Sequence, residues 1–204
     1  MDTGNEALRI YAENAEQLAE RYESVDADVV FAPLARLLPD APARIADIGA
    51  GTGRDAAWLA ARGHSVTAVE PTQGLRKAGI SRHGDRVEWV SDTLPGLTTL
   101  DNRTFDLIFV NAVWHHLDET SREAAMKRLA ELTCAGGRVL ISLRHGPLPK
   151  GQPVEPLSTE QELERAQRAG FELIQRIETD SRQENNRQAD VTWTWLALEQ
   201  RDIS

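Results

Sequence analysis

Cysteine is almost absent from this chain of 204 residues; Cys134 stands alone, which excludes an internal disulfide framework and a cysteine-rich zinc site. No other metal site is expected. Cations are also in the minority, with 23 Lys and Arg against 32 Asp and Glu and a formal net charge of −9. A nucleic-acid backbone is usually met by a basic stripe, whereas these cations are scattered, so DNA and large RNA are disfavoured as partners. No apolar run approaches the ~18 residues of a membrane span. The start, MDTGNEALRIYAENAEQL, lacks the basic-then-apolar order of a secretory signal. A cytoplasmic protein without a membrane partner is therefore expected. No repeat, low-complexity tract or linker divides the chain, so residues 1–204 are read as a single domain. A chain this long buries roughly 70% of its unfolded surface and needs no covalent staple.

What is present is a regular alternation. Residues 5–22 carry apolar points at Leu8, Tyr11, Ala15, Leu18 and Tyr22, the spacing of an amphipathic helix. A second helical stretch runs from about Asp26 to Leu38, interrupted by Pro33, and Pro39 and Pro42 close an N-terminal part, residues 1–42. From Ala43 onward, short apolar runs read as strands: ARIADI (43–48), HSVTAVE (64–70), RVEWVS (86–91), TFDLIFV (104–110) and GGRVLISL (136–143). Between and after them lie helical stretches at 54–63, 71–80, 118–133 and 158–170. The last opens with a capping-box pattern, Ser158 with Gln161 or Thr159 with Glu162. RHGPLPKGQPVEP (144–156) is a loop, and FELIQRIE (171–178) and VTWTWLALE (191–199) are two final strands. Such alternation predicts a doubly wound α/β fold: a mostly parallel sheet with helices on both faces, its core at 43–199.

The informative segment is Asp47-Ile48-Gly49-Ala50-Gly51-Thr52-Gly53, between a predicted strand and a predicted helix. Glycines there permit a tight turn and close approach of a ligand to the backbone. Glu70 closes the next strand, where an acid accepts hydrogen bonds from ribose hydroxyls. The dinucleotide fingerprint G-x-G-x-x-G needs glycine where this chain has Arg54. A carboxylate two residues before the first glycine would repel a pyrophosphate. It suits a cation, such as the amino group and sulfonium of S-adenosylmethionine.

Through DIGAGTG (47–53), AVEPT (68–72), SDTLP (91–95), FDLIFVNAVWHHL (105–117) and AGGRVLISL (135–143), the chain resembles the class I S-adenosylmethionine-dependent methyltransferases. The likeness is to the small methyltransferase-domain type of the ubiquinone-biosynthesis-like branch. The resemblance implies a Rossmann-like sheet of seven strands, one of them antiparallel and drawn from the final pair. It also implies S-adenosyl-L-methionine as cofactor, released as S-adenosyl-L-homocysteine, a small-molecule acceptor, and a lid role for residues 1–42. Carried over by position, Gly49, Ala50, Gly51 and Gly53 would form the turn beneath the methionine part, oriented by Asp47. Glu70 would hold the ribose, with Pro71 and Thr72 beside the adenine. Asp92 would bond the adenine amino group, with Thr93 and Leu94 packing nearby. Asn111, Ala112 and Val113 would line the cofactor near its methyl group. Asn111-Ala112-Val113-Trp114 is not the Asn/Asp-Pro-Pro-aromatic motif of enzymes that methylate base or glutamine amino groups.

Other readings compete with these. Asp92 would equally begin a turn. His115 and His116 are candidate catalytic bases after the fourth strand, or one caps the next helix while the other packs against cofactor. Arg144 and His145 leave the fifth strand at the same edge, where they would hold an anionic substrate, move a proton, or lie at the surface. Trp114 would shape the acceptor pocket, and Tyr22, with Tyr11 and Arg21, would reach the site from the N-terminal helix. At the level of function, a nicotinamide-dependent oxidoreductase and a non-catalytic cofactor-binding module are the alternatives. The acceptor and the oligomeric state are not legible.

Overall fold

The computed structural model describes residues 9–147 and 157–201. Its strands are β1 (Arg44–Ile48), β2 (Ser65–Val69), β3 (Glu88–Val90), β4 (Phe105–Val110), β5 (Thr133–His145), β6 (Phe171–Asp180) and β7 (Thr192–Gln200). They form one seven-stranded sheet in the order β3-β2-β1-β4-β5-β7-β6. Pairing is parallel from β3 to β5, and β7 runs antiparallel to both β5 and β6. This is the expected doubly wound α/β architecture, with the antiparallel strand in the final pair.

Register sets the position of the site. Ile48 pairs with Val69 and Val110, Val69 with Val90, and Val110 with Ile141. The next residues along each chain (Gly49, Glu70, Ser91, Asn111 and Ser142) therefore emerge along a single sheet edge, where α/β sheets bind ligands.

The helices are α1 (Ala15–Glu23), α2 (Ala27–Phe31), α3 (Arg54–Ala60), α4 (Gln73–His83), α5 (Glu119–Leu132), α6 (Thr159–Arg168) and α7 (Glu184–Gln188). Both sheet faces are covered, and each has its own core. On one face Ile48, Val110, Ile141 and Leu196 pack with Ala125, Met126 and Leu129 of α5 and Ala166 of α6. On the other, Ile45, Phe109 and Leu140 pack with Phe31, Leu34 and Leu59. An aromatic stack runs through this second core, from Trp58 to Phe31 (4.2 Å between ring centres), to Phe109 (4.9 Å), to Trp195 (5.3 Å). Burying each such side chain is worth about 1.5–3 kcal/mol.

Several boundaries differ from the sequence reading, each for a local reason. The helix expected over 26–38 is α2, capped by Asp26, followed by a 3-10 turn, Ala32–Leu37, because Pro33 offers no N–H to continue α-helical bonding. β5 begins at Thr133, with its register to β4 shifting ahead of Arg138 as the chain passes Gly136 and Gly137. The polar run before β7 contains α7, which has no buried residue and so no apolar period to betray it. Residues 9–13 are helical with a turn at Asn14. Residues 5–8 of the expected first helix, and most of the proline-rich loop, lie outside the described residues.

Candidate functional site

The turn after β1 is built from backbone. Gly49 and Ala50 donate N–H groups to the Val69 carbonyl at 2.8 and 3.0 Å, and Gly53 donates to Ala50 at 2.8 Å. Gly49 and Gly53 take φ of +71° and +73°, and a side chain at either would run into Val113 or the Trp89 ring. Glu70 locks the turn from β2: Oε2 accepts from Gly51 N–H at 2.9 Å and Oε1 from Thr72 N–H at 2.7 Å. Burial raises the Glu70 carboxyl above its usual range, although these N–H donors and Arg76 pull the other way. Each of its oxygens keeps a second lone pair.

Asp47, at the heart of the turn, is 2% exposed, and its Oδ2 has no hydrogen-bond partner among the described residues. Burial pushes its carboxyl well above the usual range, and repulsion from Asp55 and Glu70 adds to this; Arg54 and the Ala56 N–H offset part. Asp55 belongs to the same network. Its Oδ1 takes Arg54 Nε at 2.8 Å and its Oδ2 takes Asn111 Nδ2 at 3.1 Å. Ser142 Oγ donates to Asn111 Oδ1 at 3.1 Å and accepts Ala112 N–H at 2.7 Å, fixing the end of β4, where Ala112 takes φ of +57°. Neither Asp55 nor Ser142 figured among the expected site residues. Their signals were an acid in the first turn of the helix after the glycines and one hydroxyl inside the apolar run of β5.

Asp92 spends its oxygens on the loop that follows it, accepting from Thr93 N–H (2.8 Å), Thr99 N–H (2.8 Å) and Thr99 Oγ1 (2.6 Å). Burial raises its carboxyl, but these donors outweigh that and leave it below the usual range. Thr93 is exposed and Leu94 is buried in the core, while Pro71 is half-buried and Thr72 buried beside Glu70.

The N-terminal helix lies over this edge. Leu18 and Ala19 of α1 pack on Leu75 of α4, with Tyr11, Ala15, Tyr22 and Ala78 around them. The Tyr22 ring rests on Gly51, and its carbonyl accepts Arg54 Nη1 at 2.8 Å. Tyr11 Oη and His116 Nε2 share a hydrogen bond of 2.9 Å. Burial pushes both tyrosine hydroxyls upward.

The residues after β4 divide. Trp114 is fully buried, and its Nε1 donates to Glu162 Oε2 at 2.8 Å beside Arg165. This corrects the expectation that it walls an acceptor pocket, because a tryptophan held by a buried carboxylate in the core has no surface to offer. The capping alternative for His115 and His116 is also corrected, since Asp118 caps α5 by accepting Ser121 N–H at 2.7 Å. His115 is buried, with ring centres 4.1 Å from His116 and 5.9 Å from Trp193. Burial holds it neutral, well below its usual pKa, and repulsion from His116, Arg144 and Arg122 lowers it further.

Arg144 and His145 point to opposite faces of the sheet. His145 shares a face with Thr194, bonding its hydroxyl at 2.8 Å, and lines a cavity of about 400 Å³ with Arg176, Glu178 and Asp180. Arg144 shares the opposite face with Trp193 and is 8% exposed, which rules out the surface reading. A second cavity, of about 100 Å³, lies on that face, lined by Val25, Arg54, Asn111, Ala112, Trp193 and Trp195 among others. Among the described residues, no cluster could hold a metal ion and no helix is long and apolar enough to cross a membrane.

This geometry has close counterparts among known proteins. Residues 45–137 match the family model described as a methyltransferase domain. An uncharacterized methyltransferase of Geobacillus thermodenitrificans is 26% identical over 146 residues, 68% of this chain and 67% of that protein. The chain spans between 26% and 68% of the length of the curated relatives it matches. A TehB-like SAM-dependent methyltransferase from Corynebacterium glutamicum superposes with a TM-score of 0.69 at 22% identity, covering 93% of this chain and 99% of that one. The 1,6-didemethyltoxoflavin-N1-methyltransferase of Burkholderia thailandensis, crystallised with 1,6-didemethyltoxoflavin and S-adenosylhomocysteine, gives 0.66 at 24% identity over 87% of this chain and 77% of that one. The sheet order, the acid-led glycine turn and the family model matched over residues 45–137 together make this chain similar to the class I S-adenosylmethionine-dependent methyltransferases.

Proposed function

We propose that this chain transfers a methyl group from S-adenosylmethionine to a small-molecule acceptor. One observation carries the reading: Asp47 presents a buried carboxylate oxygen without a partner among the described residues, inside a glycine turn already crowded with acids. An unpaired buried carboxylate is costly. A cationic ligand relieves that cost, whereas a pyrophosphate would add to it, which disfavours the nicotinamide alternative. The residues fit the cofactor in kind. Asp47 suits its ammonium group, Glu70 its ribose hydroxyls through the lone pairs left after the backbone bonds, and Asn111 to Val113 the edge where β4 ends. Asp92, occupied by Thr93 and Thr99, serves adenine by holding the loop that borders it.

When bound, S-adenosylmethionine supplies a methyl group already activated on a positively charged sulfur. The protein's own work is then positioning and exclusion of water. Tyr22 and Tyr11 form the cover, and access to the turn requires the Tyr22 ring to leave Gly51. Ser142 and Asp55 hold the end of β4 rigid through Asn111. His115, kept neutral by burial, is a base for an acceptor that arrives protonated; His116 is engaged with Tyr11 and is the weaker candidate. His145 lies on the other sheet face, bonded to Thr194.

The test is incubation with methyl-labelled S-adenosylmethionine and a panel of small acceptors, reading S-adenosylhomocysteine release. Acceptor-dependent release supports the reading. Binding without turnover across oxygen, nitrogen and carbon acceptors would favour the non-catalytic module.

A further inference from the structure

Arg144 is a buried cation without a counter-ion among the described residues. It is 8% exposed, and its only side-chain hydrogen bond among the described residues is a long one, Nη1 to the Gly146 carbonyl at 3.5 Å. No carboxylate pairs with it among the described residues, and burial alone displaces its pKa, downward. The other deeply buried arginines show the ordinary arrangement: Arg165, with a side chain 2% exposed, is held by Glu162, Glu119 and Glu123, and Arg122, 3% exposed, lies 3.8 Å from Glu162. Burying a charge unpaired is expensive, and a protein retains such an arrangement where a ligand supplies the missing anion.

The position of Arg144 makes that ligand the acceptor. On β5 it follows Ser142 by one pleat, on the same face, and Ser142 fixes Asn111 and Ala112 at the end of β4. Across the ladder it pairs with Trp193, whose ring meets His115 edge-on. Trp193 and Trp195 line the cavity of about 100 Å³ that also reaches Asn111 and Ala112. His115 adds a second unsatisfied group, since its buried Nδ1 has no hydrogen-bond partner among the described residues. A cation and a neutral imidazole thus converge beside an indole at the edge where the methyl group would be delivered.

We propose that Arg144 binds a carboxylate of the methyl acceptor, which makes the substrate a small, flat carboxylic acid lying against Trp193. The planar guanidinium matches a carboxylate in bidentate fashion. Arg144 is a single guanidinium with no carboxylate partner among the described residues, which suits a monoanion better than a phosphate dianion; the adjoining cavity beside Trp193 carries Arg54, Arg182 and Asp180 in its lining. The cavity is well below the ~300 Å³ of sites for drug-sized ligands, which keeps the acid small. The acceptor role rests on the methyltransferase reading, whereas the anion site does not.

The experiment titrates benzoate, 4-hydroxybenzoate and indole-3-carboxylate, each against its neutral amide, into wild type, Arg144→Met and Arg144→Lys. S-adenosylhomocysteine is titrated separately into each. The expected result is at least one acid bound at least tenfold more tightly than its amide. That preference is lost in Arg144→Met, and S-adenosylhomocysteine affinity stays within twofold across the three proteins. Arg144→Met should also melt no lower than wild type, because it removes an unpaired buried charge, and Arg144→Lys should retain only part of the preference. Equal binding of acids and amides, no binding of any acid, an undiminished preference in Arg144→Met, or a large drop in its melting temperature would overturn the proposal. If wild type binds acids through Arg144 but not S-adenosylhomocysteine, the anion site stands and the methyltransferase reading falls.

Discussion

Replacing Asp47 by asparagine keeps the side chain's shape and removes its charge. In the ligand-free protein that charge is a burden. The residue is 2% exposed, its Oδ2 lacks a partner among the described residues, and Asp55 and Glu70 repel it. Relieving a buried charge of its desolvation and of repulsion by two neighbouring acids is worth about 1–3 kcal/mol, and 1 kcal/mol corresponds to about 2–4 °C in a domain of this size. Asp47→Asn should therefore raise the melting temperature by several degrees. The same change removes a charge-assisted hydrogen bond to the cofactor's ammonium group, worth about 1.5–3 kcal/mol, so affinity should fall roughly ten- to hundredfold. A pH signature separates this from a steric effect. Because the folded carboxyl titrates above its unfolded value, its contribution to stability is fully present below the unfolded pKa and is lost as pH rises through the folded one. A cationic ligand needs the ionised form, so binding releases a proton and tightens with rising pH in wild type, but not in the variant. Scanning fluorimetry gives the first quantity, and calorimetry with S-adenosylmethionine across pH gives the others. A variant that melts lower and binds as well as wild type, with the same pH dependence, would refute the reasoning.

Other outcomes follow from the buried groups around the site. Glu162→Ala removes the acceptor of Trp114 Nε1 and a partner of Arg165, both buried; breaking such a pair costs about 3–5 kcal/mol, read as a melting temperature lower by on the order of 10 °C. His115 is held neutral below its unfolded pKa, so its contribution is present above about pH 6.5 and lost as pH falls through the folded value; the melting temperature of His115→Gln should decline less from pH 7.5 to 5 than that of wild type. Tyr11→Phe removes the hydroxyl bonded to His116 and should speed amide exchange over α1 by a factor consistent with about 0.5–1.5 kcal/mol, measured by hydrogen exchange.

The stretch from β1 through the glycine turn was legible because its constraints are local. Glycine is needed where φ is positive, and an acid is informative wherever a strand must bury it. The mostly parallel direction of the strands followed from alternation, since a parallel sheet demands crossover helices, whereas the antiparallel strand followed from the family resemblance. What stayed hidden depended on which face a residue takes or on partners distant in sequence. Nothing near Trp114 announces Glu162, so its place in the core was invisible. Arg144 and His145 are adjacent letters at a strand end, and only the folded ladder with β7 shows that one is buried beside Trp193 while the other bonds Thr194. Asp92 illustrates a third limit, since its partner Thr99 lies in a loop whose closure no periodicity encodes.

The central claim is that the acid-led turn after β1 receives a sulfur nucleoside. Calorimetric titration of S-adenosylhomocysteine into the wild-type protein tests it most directly. One site per chain with micromolar affinity, weakened at least tenfold by Asp47→Asn, is the predicted result; no heat of binding at millimolar ligand, with the protein folded, would contradict it.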